Sequence, residues 1–204
     1  MAKPAISLAH KFIGHLKYLE KTRAKMEKLL TTNAIVRRDI EQVYAGLYLE
    51  AITSLERLIE NLFIGLLVGR IAPGSSEIIT RVSFKSDRVA HNVVFGGRNY
   101  VDWFPYHHTG QRARAFFRNG LPFTSLERTD RKIERLLYIR NTIAHKNSHS
   151  ERIFEQKVIG TLPLMPREKT PSGFLRSIFR TAPVKTQYEN LVEEMASVAL
   201  KLCR

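Results

Sequence analysis

The chain has 204 residues, with 33 Lys and Arg against 19 Asp and Glu, and a sequence pI of about 10.2. A chain of this length buries a substantial core without disulfides or structural metals, and a lone cysteine, Cys203, excludes an intramolecular disulfide and fits a reducing cytosol. The positive excess favours a polyanionic partner, nucleic acid ahead of a membrane surface. It is also unevenly placed: residues 1–38 carry nine Lys and Arg against Glu20 and Glu27, and residues 107–140 carry eight against three acids.

The first predicted helix places Ile6, Phe12, Ile13, Leu16, Leu19, Met26, Leu29 and Leu30 largely at three- and four-residue steps. Its N-terminal stretch is interrupted by His10, Lys11, His15 and Lys17, which is not the pattern of a secretory signal. A second, longer helix is expected from about Val36 to Val68, with Gly65, Gly69 and the "APG" of 72–74 ending it. Its apolar run "LFIGLLVG" is far shorter than the ~18 residues of a membrane span. A cytoplasmic protein with no membrane contact is therefore expected.

Residues 73–122 lack a sustained period and are punctuated by Gly, Ser and Asn. They read as a long, partly irregular insertion holding short helices or a small hairpin, with "TGQRARAFFRNG" the best helical segment. The next helix is expected to start at "TSLE", where Thr124 and Glu127 have the spacing of a capping box, and to end at "HKNSHS". Pro163, Pro166, Pro171 and Gly173 mark a connection before a last helix at about 185–202. The expected fold is all-α: a single up-and-down helical bundle over residues 1–204, with a basic N-terminal helix (1–35), a core (36–160) and a Pro-containing connection with its C-terminal helix (161–204).

The stretch "YIRNTIAHKN" carries the chemistry. Asn141 and His145 are four residues apart and share a face of an ideal helix. Arg140 precedes His145 by five, about 140° around and about 7.5 Å along the axis. A straight helix therefore separates them. They converge if the helix frays at His145, or if each faces the same groove at an interface between two copies, and the long arginine stem can cover the remaining distance. Histidine exchanges a proton near neutral pH, and a guanidinium matches phosphate oxygens and the extra charge of a phosphorane-like transition state. Asn141 can orient either group, and the 2′-hydroxyl of RNA can act as nucleophile. The same residues also suit an ordinary helix C-terminus, where a histidine is favoured by the dipole and Arg and Asn bridge or cap.

The motif, preceded by "FFRNGLPFTSLE" and followed by "RIFEQKVIG" and "TPSGFLR", resembles the HEPN superfamily, and within it the RiboL-PSP-HEPN group. The similarity extends from the second helix to about residue 176. It implies a compact helical domain that dimerises and, in active members, cuts RNA without metal at a cleft shared by two protomers. The products then carry a 2′,3′-cyclic phosphate and a 5′-hydroxyl. Matched residue by residue, the signature falls on Arg140, Asn141 and His145, and an acidic position in the preceding long helix falls on Glu56, with Glu60 as a second match. The resemblance also implies a setting in bacterial defence, a toxin-like module with an antitoxin or other regulatory partner, or RNA processing. Other HEPN domains bind RNA or nucleotides without cutting, so a non-catalytic RNA-binding or dimerising module is the alternative.

Arg112, Arg114 and Arg118 interleave with Phe116 and Phe117, a mixture that grips phosphates and stacks bases. The expectation is core phenylalanines, with the three arginines and Lys146 as RNA contacts. His145 and His149 have a metal-ligand spacing, and His107 and His108 adjoin, but no H-E-x-x-H and no thiolate pair accompanies them. No metal or cofactor is expected, and a metal-dependent hydrolase is the third reading. "GGRN" at 96–99 matches neither a Walker A loop nor a dinucleotide fingerprint.

Overall fold

The computed structural model describes residues 2–204, apart from the side chains of residues 127–130. The fold is all-α. Its helices are α1 (Ile6–Thr31), α2 (Arg37–Leu67), α3 (Asp87–Phe95), α4 (Tyr106–Phe116), α5 (Asp130–Ala144), α6 (Ser148–Phe154), α7 (Pro171–Arg176) and α8 (Gln187–Cys203). Two small sheets accompany them. β1 (Lys3–Pro4) pairs in parallel with β2 (Ile71–Ala72), and β3 (Ile178–Thr181) pairs antiparallel with β4 (Val184–Thr186). Among the described residues no helix is long and apolar enough to cross a membrane.

The chain divides into two compact units, one of residues 1–13, 54–134 and 196–204 and the other of residues 14–53 and 135–195. In the first unit the core is aromatic. Phe63 meets the rings of Trp103, Phe117 and Phe123 at centroid distances of 5.2, 5.0 and 4.9 Å. Such tilted and edge-on pairs add attraction beyond the buried area. Trp103 is buried, and its indole N–H donates to Glu60 at 3.0 Å. Gly65 does not end α2. It lies within the helix, where a Cβ would collide with the side chain of Ile71.

In the second unit Tyr44, Tyr48, Leu136, Ile139, Phe174 and Tyr188 are all buried. Tyr48 donates its hydroxyl to the carbonyl of Leu136 at 2.8 Å. Tyr44 joins a charged network in which it accepts from Arg23 at 3.0 Å and donates to Glu27 at 2.8 Å. Arg176 closes that network with a two-pronged contact to Glu27 at 3.0 and 3.1 Å. Burial by itself raises the Glu27 pKa, but the hydrogen bonds from Arg176 and Tyr44, aided by the Arg176 and Arg23 charges, hold it below the ordinary carboxylate value.

Several boundaries differ from those expected. "TSLE" does not start the α-helix: residues Phe123–Thr129 form a 3₁₀ segment, and α5 begins at Asp130. The Thr124 hydroxyl donates instead to the carbonyl of Asn119 at 2.9 Å, while the expected partner Glu127 has a side chain outside the described residues. The insertion holds α3 and α4, with no strand pairing beyond a single bridge from Thr80 to Phe117. The connection after Pro163 is more structured than expected. It contains α7, started by Thr170 accepting from the Gly173 N–H with Pro171 in the first turn, and the β3–β4 hairpin. α8 then starts with a reciprocal cap between Thr186 and Glu189.

Candidate functional site

α5 stops at Ala144 because the following turn offers its backbone better partners than another helical turn would. The His145 N–H still bonds back to the carbonyl of Asn141 at 2.7 Å, and the His145 carbonyl then accepts from the Asn147 N–H at 2.8 Å. Asn147 turns its side chain to the Ser150 N–H at 2.9 Å and so caps α6. The Ser150 hydroxyl reaches the carbonyls of His145 and Asn147. Buried Thr142 closes the loop, with its hydroxyl 2.8 Å from the Tyr138 carbonyl and 3.0 Å from that of Ser150.

This break in the helix brings Arg140 and His145 together within one chain. An Arg140 terminal nitrogen lies 3.0 Å from the Asn141 amide oxygen and 3.5 Å from His145 Nε2. The end of α5 at Ala144 is thus sufficient for convergence within one chain. The angular separation on an ideal helix therefore gives no argument for a second copy. Arginine can only donate, so Nε2 can take part in this contact only as its acceptor. His145 is exposed and Arg140 half-buried, so a polyanion can reach both.

Comparisons with protein-family models, curated proteins and solved structures gave no match.

The remaining expected site residues are distributed differently. Lys146 is exposed and, with Thr142 and Ile143, lines a cleft of about 380 Å³ closed by Gln42, Gly46 and Ser172. Glu56 belongs to the first unit and residues 140–145 to the second. Glu60 is engaged structurally, accepting from Trp103 and lying 3.3 Å from His91 Nε2. Arg112, Arg114 and Arg118 also belong to the first unit. Arg114 and Arg118 are exposed, but Arg112 is half-buried with its guanidinium stacked 5.1 Å over the Trp103 ring. Phe117 is buried and Phe116 half-buried, as expected for core residues.

His145 and His149 do not share a helical face, because the chain leaves the helix between them. Among the described residues no group of three or more His, Cys, Asp and Glu is placed to hold a metal ion. Sequence reasoning missed Thr142, Asn147 and Ser150 as positioning residues. The run "NSHS" held the signal, since Asn is a favoured helix N-cap whose side chain accepts from a backbone N–H two or three residues on.

Proposed function

We propose that this chain is a metal-independent endoribonuclease of the HEPN type, with Arg140, Asn141 and His145 as its reactive cluster. The observation that carries the reading is the Arg140 guanidinium set between Asn141 and the Nε2 of an exposed His145. The net charge of +14 adds a general attraction for RNA.

A phosphate arriving at the cluster competes for Arg140, whose fork fits two phosphate oxygens better than one imidazole nitrogen. Drawing the guanidinium onto the phosphate uncovers the Nε2 lone pair. Nε2 then takes the proton of the 2′-hydroxyl as O2′ bonds to phosphorus, and Arg140 offsets the added charge. The bond from phosphorus to O5′ breaks, giving a 2′,3′-cyclic phosphate. The leaving O5′ gains a proton from the imidazolium of a second protomer, and Asn141 holds Arg140 in line. Pairing of two clusters across a homodimer comes from the resemblance, as do a role in defence or RNA processing and a regulatory or antitoxin partner.

The test is incubation of the purified chain with mixed RNA in EDTA, alongside His145→Ala and Arg140→Ala. Cleavage that persists in EDTA and is lost in both variants supports the proposal. Intact RNA with retained binding overturns it in favour of a non-catalytic RNA-binding module, and cutting that requires added metal overturns it in favour of a hydrolase.

A further inference from the structure

A second site lies in the first unit, at the loop that follows α3. Gly96 and Gly97 both adopt positive φ, 60° and 76°, a conformation that glycine tolerates and other residues resist. The two together reverse the chain, and residues Gly97–Asp102 then enclose a cleft of about 410 Å³. That volume lies in the range of small-ligand sites. The lining is polar and aromatic: Arg98, Asn99, Tyr100 and Asp102 are exposed, and Val101 is buried. Tyr100 is 72% exposed, so its ring face is open to a planar ligand.

The cations here are arranged for an anion. Arg98 fixes its Nε on the carbonyl of Phe95 at 3.2 Å, and among the described residues its terminal nitrogens have no hydrogen-bond partner. Behind the loop, Arg112 is held over Trp103 and reaches the Asp102 carbonyl at 3.4 Å. Burial, and then the neighbouring Arg98 charge, lower the Arg112 pKa, with Asp102 opposing. Two guanidinium groups close enough to oppose one another are stabilised when an anion lies beside them.

We infer that this loop cleft binds a nucleoside monophosphate unit, with its phosphate on Arg98, its base stacked on Tyr100, and a ribose hydroxyl or base amine donating to Asp102. The unit is either a free nucleotide or the 5′-phosphorylated end of a nucleic acid strand, since both present the same groups. The cleft belongs to the first unit and the Arg140–His145 cluster to the second, and the inference does not depend on the cleavage reading.

The experiment is calorimetric titration of the full chain, in the His145→Ala background so that no RNA is consumed. The probes are AMP, inorganic phosphate, and one short RNA with either a 5′-phosphate or a 5′-hydroxyl. AMP is expected to saturate one site per chain. Arg98→Gln should weaken it about tenfold or more, the loss of a charge-assisted contact. Tyr100→Ala should weaken AMP while leaving inorganic phosphate unchanged, which a merely structural role would not do. Equal affinity for AMP and the 5′-phosphorylated RNA identifies a strand end, and binding of AMP alone identifies a free nucleotide. The inference is overturned if AMP gives no saturable heat up to about 5 mM, a Kd weaker than roughly −3 kcal/mol of binding. It is equally overturned if Arg98→Gln and Tyr100→Ala both bind as the parent does.

Discussion

Replacing Glu27 by Gln keeps the shape of the side chain and removes the charge on which Arg176 and Tyr44 converge. Glu27 accepts 3.0 and 3.1 Å bonds from Arg176 and a 2.8 Å bond from Tyr44. Hydrogen bonds to charged groups contribute about 1.5–3 kcal/mol when sheltered and surface ion pairs about 0–1 kcal/mol. The two side chains are 26% and 25% exposed, so solvent screening places the Glu27–Arg176 coupling near 1–2 kcal/mol. For a chain of this length that corresponds to a fall in Tm of roughly 2–8 °C. The sign with pH follows from the depressed carboxyl. Its contribution is present above the unfolded value of about 4.3 and is lost as pH falls through the lower folded value. Denaturant unfolding of parent, Glu27→Gln, Arg176→Gln and the double variant, from neutral pH down to about pH 3, gives the coupling directly. A coupling below about 0.3 kcal/mol at neutral pH refutes the reasoning. So does a parent-to-Glu27→Gln gap that holds steady or widens on acidification.

At the candidate site, His145→Ala is expected to lower RNA cleavage by about 10²–10⁴-fold, the contribution of a positioned proton-transfer group. Arg140→Lys should recover little of what Arg140→Ala loses, because an ammonium lacks the guanidinium fork; single-turnover cleavage measures both. Thr142→Val leaves the buried Ser150 carbonyl short of a donor, and should cost about 1–3 kcal/mol while reducing cleavage through loss of the turn that places His145. Burial pushes the Cys203 thiol up to about 11, a backbone hydrogen bond at Ala9 opposing. Its share of stability is therefore full below the unfolded value of about 8.5 and lost as pH rises toward the folded one. Thiol titration at about pH 8 should be slow in the folded chain and rapid in denaturant, and Cys203→Ser should flatten the alkaline loss of stability.

How much of this was legible in the sequence differs from element to element. The long helices α1 and α2 were readable because their apolar residues recur at helical steps, and many of those positions are buried, among them Phe12, Leu16 and Leu19 in α1 and Ile40, Ile52, Leu55 and Leu62 in α2, although Val43 and Leu47 are only half-buried and Leu29 is exposed. The β3–β4 hairpin was not, because every residue of β3 is exposed. A strand without a buried face leaves no alternation to detect. "TSLE" carried a valid capping signal, but Thr124 spends its hydroxyl on Asn119, a choice set by the 3₁₀ turn around it. The residues of the candidate site were visible as Arg140, Asn141 and His145. Their convergence was not, because it depends on where α5 ends, and that is decided downstream by Asn147 and Ser150. The stacking of Arg112 on Trp103 joins residues nine apart through a tertiary turn, which periodicity cannot report.

The turn at residues 145–147 holds His145 entirely by its main chain: the N–H bonds to Asn141, and the carbonyl receives Asn147 and Ser150. The imidazole contributes nothing to that arrangement. Any residue other than proline can occupy position 145 with the turn intact, and an exposed replacement there should move stability by about 0.5 kcal/mol or less. Folding and reactivity are thus written in different atoms of the same residue. A lineage carrying this chain can lose the imidazole by one codon change, keep the turn folded, and regain the ring by the reverse change.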